Sequence, residues 1–160
     1  MKKPMASVHG TPLPMDDSFL SGNGETVALI RALDWSATPL GPIRGWPQSL
    51  RTTVNICLAS NFPICIVWGP RYTQIHNEGY RAICGDKHPL SMGSAYPECW
   101  ADAWSAIGQS FENALDGVTS FLENQRMFLL RDGYLEETFL LFRSARFVTK
   151  PGALANFFIR

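Results

Sequence analysis

Histidine, cysteine and paired carboxylates are the side chains of this sequence whose spacing decides what chemistry it can do. His76 and His88 offer imidazoles of the kind that serve as axial heme ligands. The cysteines, Cys57, Cys65, Cys84 and Cys99, form no CxxC pair and repeat no spacing with histidine, which argues against a zinc site. They read as reduced thiols packed as small hydrophobes. Glu136 and Glu137 are the one adjacent carboxylate pair considered for acid–base work. Neighbouring residues of a strand point to opposite faces, so the two cannot act side by side. No GxSxG, HExxH or phosphate-cradling GxxxxGK[ST] occurs, and the sequence reads as a non-enzyme with no metal site.

Composition narrows the partners. The chain has 160 residues, enough for one domain with a substantial core. Fourteen basic residues balance fourteen acidic ones, and no Lys/Arg cluster offers a surface for nucleic acid. The N-terminal MKKPMASVHGTPLPMDD lacks the apolar region of a signal peptide, and no apolar run approaches the ~20 residues of a membrane span. A soluble, cytoplasmic chain is the expectation. Five Trp and ten Phe predict a bulky core, either closed around a cavity or filled by its own rings.

The elements that must position these residues centre on Phe62–Tyr80. Phe62 to Trp68 is a short apolar run, Gly69-Pro70 breaks it, and Tyr72 to His76 is a second run of strand formers, together a hairpin. Before it, residues 1–20 read as a flexible leader. Residues 21–61 read as a helical flank, with helices over 25–33 and 47–60 separated by a Pro/Gly-rich connection. After the hairpin, Asn77 is a helix N-cap for 78–83 and Gly85 the stop. Lys87 to Pro97 reads as irregular. Trp100, Trp104, Ile107, Phe111 and Leu115 predict one long helix over 98–116. Arg131-Asp132-Gly133 separates strands 121–130 and 134–147. Lys150-Pro151-Gly152 is a further turn, and 153–159 a closing strand. Hairpins without βαβ alternation predict an α+β fold, an antiparallel sheet with helices on one face.

This element order, with the segments DWSATPLGPIRGWPQSLRTTVNICLAS, FPICIVWGP, HNEGYRAICGDKHPLSMG and GYLEET, resembles a PAS domain. It is similar in particular to the N-terminal PAS domain of soluble bacterial hybrid sensor histidine kinases, over roughly residues 22–160. The segment from Phe142 onward departs from the FSYSP-like pattern of related domains. The resemblance implies a five-stranded antiparallel sheet over 62–160 and a small ligand held between its inner face and the helices. The residues it nominates are Ile66 and Trp68 on the first strand, His76 and Asn77 at the end of the second, and Tyr80 on the first short helix. Trp104 and Phe111 come from the long helix, Gln125 and Phe142 from the later strands. Simpler roles stand beside these: Asn77 as a cap, Trp104 and Phe111 as core, and Gln125 on the wet side of its strand.

The resemblance further implies a sensory input module of a two-component pathway. It would form a homodimer and bias an attached or separate histidine kinase transmitter. Such a chain is either an excised domain or a sensor acting on a separate partner. Heme sensing is disfavoured because the long helix holds no histidine, where heme PAS sensors often carry the ligand. Flavin is disfavoured because the N-C-R-F-L-Q motif of LOV photoreceptors is absent and the chain after Gly93 reads SAYPECW. No cofactor is required. The competing expectation is a ligand-free dimerisation or protein-interaction module.

Overall fold

The structure, a computed structural model, describes residues 17–131, 133–146 and 153–159. The leader up to residue 16, Asp132 and the Lys150-Pro151-Gly152 turn lie outside the described residues. The chain begins with α1 (Glu25–Ala32) and α2 (Gln48–Ala59). The hairpin β1 (Ile64–Trp68) and β2 (Thr73–His76) follows, then α3 (Glu78–Cys84), α4 (Tyr96–Cys99) and α5 (Trp104–Leu115). Three strands close it, β3 (Ser120–Arg131), β4 (Tyr134–Arg146) and β5 (Ala153–Ile159). The strands are antiparallel in the order β2-β1-β5-β4-β3. The last strand thus returns beside the first, with Ile66 opposite Ala155. A hairpin and a meander joined by inserted helices, with β5 beside β1, give the α+β, PAS-like fold.

Residue alternation on β1 explains the layers. Cys65 and Val67 point into a core beneath α3, α4 and α5 with Tyr80, Tyr96, Trp100, Ile107, Phe111, Met127 and Leu129. Ile64 and Ile66 point the other way, into a second core with Val27, Ile30, Trp35, Trp46, Leu50 and Val54. The β1–β2 end of the sheet is therefore covered on both faces. This corrects the expectation of helices on one face: the N-terminal flank is not merely a preceding segment but packs α2 across β1 and β2. Leu20, assigned to the leader by sequence, is buried in this second core, and its carbonyl accepts from Arg31 Nη2 at 2.9 Å.

The predicted long helix is two pieces. Pro97 in the first turn starts α4, and Trp100 leaves helical geometry at φ −107° and ψ 27°. Asp102 explains the delay before α5 begins at Trp104. Its carboxylate is drawn to Lys87 Nζ at 3.0 Å and accepts from the Ala103 and Leu130 N–H groups at 3.1 and 3.5 Å. In β3 the register with β4 shifts between Leu122 and Gln125, where Asn124 adopts φ 51°.

Candidate functional site

The inner core is apolar except for a run of buried polar groups along β2 and the segment after it. Gln74 lies on the inner face beside Val67. Its Oε1 accepts from Trp100 Nε1 at 3.2 Å and its Nε2 donates to Ser94 Oγ at 2.8 Å. His76, two residues on and on the same face, has both ring nitrogens engaged: Nδ1 is 3.2 Å from the Asn77 carbonyl, Nε2 3.1 Å from Ser91 Oγ. A carbonyl only accepts, so in the neutral ring Nδ1 carries the proton and Nε2 accepts from the Ser91 hydroxyl. Cys84 Sγ, 3.5 Å from Ser91 Oγ, completes the chain.

Burial sets the charge of every member. It lowers the His76 pKa to about 4, so the ring is neutral near pH 7. It pushes the Cys84 thiol up to about 12, and Cys57, in the outer core, likewise. Cys65, Tyr80 and Tyr96 are raised well above their ordinary values, again chiefly by burial. Serine beside histidine has the outline of a nucleophile and base. Here Ser91 and His76 are both buried. All four cysteines are free, and among the described residues no group of three or more His, Cys, Asp or Glu could hold a metal.

Next to this polar run, Tyr80, Ile83, Tyr96, Trp100, Ala103, Ile107, Met127 and Leu129 enclose a space with room for about one water molecule, ≈ 10 Å³. The Tyr80 and Tyr96 hydroxyls are both buried and lie close enough for each to influence the other's titration. The Tyr96 ring stacks on Phe111 with centroids 5.5 Å apart. An isoalloxazine or porphyrin ring does not fit here while Tyr96, Trp100 and Phe111 stay in place, and both nitrogens of His76 are already engaged.

The nominated residues separate accordingly. His76, Tyr80 and Phe111 come together in the inner layer. Trp104 stands at its rim, half-buried, 5.3 Å from the Phe111 ring. Its indole lies so close along the helix that a Cβ on Gly108 would come within 2.9 Å of Nε1. Ile66 and Trp68 are the corrections: both face the outer core under the flank, opposite to Phe111. Strand alternation sets them there, since Cys65 and Val67, of the opposite parity, lie in the inner core. Gln125 is half-buried in a groove between β3 and α5 with Asp102, Ser105 and Arg126, apart from the inner cavity. Phe142 takes a register position in β4 between Leu122 and Phe158.

Asn77 is a cap and more. Its Oδ1 accepts from the Tyr80 N–H at 3.1 Å, as a helix N-cap does, and from the Ile64 N–H at 3.0 Å. Its Nδ2 donates to the carbonyls of Cys57, Ser60 and Phe62 at 3.1, 3.2 and 2.7 Å. One amide thereby ties α2, β1 and α3 together. Sequence reading missed Gln74, Ser91, Tyr96 and Trp100. The register of the hairpin would have pointed to Gln74, and the i,i+4 spacing of Tyr96 and Trp100 was there to be read.

No protein-family model matches the chain. No curated protein matches it either. Among solved structures, one described as a variant of RsLOV is 14 % identical with a TM-score of 0.47, over 70 % of this chain and 68 % of that one. An RNA-binding Light-Oxygen-Voltage receptor is 16 % identical with a TM-score of 0.46, over 77 % of this chain and 36 % of that one. The PAS-like assignment rests on strand order and connection, not on these scores. Among the described residues no helix is long and apolar enough to cross a membrane.

Proposed function

We propose that the chain is a sensory input module of the PAS kind that receives a small neutral molecule in its inner layer. In this reading, occupancy biases a signalling partner such as a histidine kinase transmitter. The observation that carries it is the small enclosed space of the inner layer, walled by Tyr80, Tyr96, Trp100, Ile107, Met127 and Leu129 and set beside the buried polar run of Gln74 and His76. Apolar walls with a few convergent polar groups are the usual make-up of a small-molecule site. The remaining room suits about one water, so a larger guest must displace Trp100 or Met127. Displacement of a side chain that also holds Gln74 links occupancy to the hairpin, and a guest that prefers the displaced arrangement shifts the population toward it. Native mass spectrometry of protein purified from cells tests this. A bound small molecule lost in Ala103→Leu, which fills the space, supports the reading, and repeated preparations at the bare chain mass overturn it.

A second reading, a ligand-free dimerisation module, is favoured by a different surface. On the outer face of the β3–β4 hairpin Phe128, Leu130, Leu135 and Phe139 are 40–61 % exposed, and the only described charges among them are the Arg126–Glu137 pair. A near-neutral apolar face suits a second copy of itself. Sedimentation of the wild type as a dimer, with Phe128→Glu and Leu135→Glu sedimenting as folded monomers, would support this reading. A monomeric wild type removes it.

A further inference from the structure

The N-terminus of α1 carries no cap of its own, since Gly24 occupies the N-cap position. The cap comes instead from α3: Glu78 Oε2 accepts from the Thr26 N–H at 3.1 Å and from Thr26 Oγ1 at 2.8 Å. These two bonds hold the Glu78 carboxyl below its usual range. Arg81 bridges Glu78 Oε1 at 3.0 Å and also binds Glu25 of α1. Glu25 Oε1 in turn lies 3.6 Å from His88 Nε2. The outer flank is thus fastened to the inner layer at the β2 edge by one polar cluster.

Its charges do not balance while His88 is neutral. Glu25 and Glu78 supply two negative charges and Arg81 one positive. The His88 side chain is only 9 % exposed, and its Nδ1 is buried with no hydrogen-bond partner. The other titratable or charged groups around it are His76 from β2, at 5.7 Å between ring centroids, Cys84 from α3, and Asp86 and Lys87 just before it in the chain. His76 is neutral near pH 7, Cys84 is a protonated thiol, and Lys87 is spent on Asp102. The cluster is one cation short, and His88 is the group placed to supply it.

We infer that Glu25, Glu78, Arg81 and His88 form a proton-adjusted clasp between α1 and the inner layer. A proton on His88 completes the ion pair with Glu25 and tightens α1. Loss of that proton removes the ion pair and loosens α1. This adds a regulatory input to the proposed module and needs no ligand, so it stands or falls separately from the inner-cavity reading.

The test is amide hydrogen exchange on the whole chain, comparing α1 in the wild type with α1 in Glu25→Gln at each pH, so that intrinsic exchange and the linkage of His76 affect both alike. From about pH 5.5 to about pH 8 the opening of α1 in the wild type relative to Glu25→Gln should rise about two- to fivefold, the scale of one partly exposed ion pair. His88→Gln should remove that difference as Glu25→Gln does. Glu25 is exposed, so its variant reports even if the buried His88 substitution disturbs folding. A ratio of wild type to Glu25→Gln that is independent of pH overturns the inference.

Discussion

The two faces of one sheet are packed on different terms. Under the flank, the core is aliphatic residues and two tryptophans set edge to face at 4.9 Å between centroids. Each indole N–H finds a backbone carbonyl, Trp35 that of Ile30 at 2.7 Å and Trp46 that of Gly41 at 3.0 Å. Under α3–α5, the core mixes aromatics with Gln74, His76, Ser91 and the buried hydroxyls of Tyr80 and Tyr96. An apolar core without orphaned groups holds a single arrangement. A core that buries polar groups stakes more on each bond, and a partner gained or lost there changes its preferred state. The difference teaches that the outer face fixes the sheet while the inner face is the one suited to respond.

Asn77 serves both faces, and breaking it should have the largest effect. Asn77→Ala removes the partner of the Ile64 and Tyr80 N–H groups and of three carbonyls, with an expected loss of about 4 kcal/mol in urea unfolding. Both cores should melt together. Retention of a folded inner layer with the flank released would show the two faces to be less coupled than argued.

His76 distinguishes the inner face by pH. Its native pKa is about 4 against an ordinary ~6.5, so the unfolded chain binds the extra proton and stability falls as pH drops. The loss begins below the unfolded value and continues to about pH 4, with a full extent of about 3 kcal/mol. Unfolding free energies across this window should show that slope, and His76→Gln should flatten it. A slope unchanged in the variant would assign the effect to other groups.

Tyr96→Phe has the smallest predicted effect. Removing this hydroxyl leaves that of Tyr80 buried without its neighbour and should cost about 0.5–1 kcal/mol, seen as a lowered midpoint in thermal unfolding. A raised midpoint would mean that the two hydroxyls contribute no bond, and the inner face would hold one more polar group than it satisfies.

What the sequence disclosed follows from how local each signal is. Asn77 as a cap was legible because capping joins residues three apart, and the bond to the Tyr80 N–H is there. The placement of β5 next to β1 came from the resemblance, not from any local pattern. Ile66 and Trp68 were assigned to the wrong face because β1 is apolar on both sides. A run without alternation carries no parity, and only the hairpin register supplies it. The late start of α5 was hidden because the stripe from Trp100 continues through a break that Asp102 makes by reaching Lys87 and Leu130, partners distant in sequence. The bonds of Gln74 and Ser91 were hidden for the same reason.

The two rims of the sheet are finished differently. Beyond β2, the chain's own loop lies alongside, with Gln74 N–H donating to Ser94 O, Gly93 N–H to Gln74 O, and a bridge between Thr73 and Ala95. Beyond β3 no further strand lies among the described residues. Among the described residues the β3 rim alone is left open to a further strand, so a second copy that adds by strand pairing would meet this molecule at β3 and give a pair related by a two-fold axis.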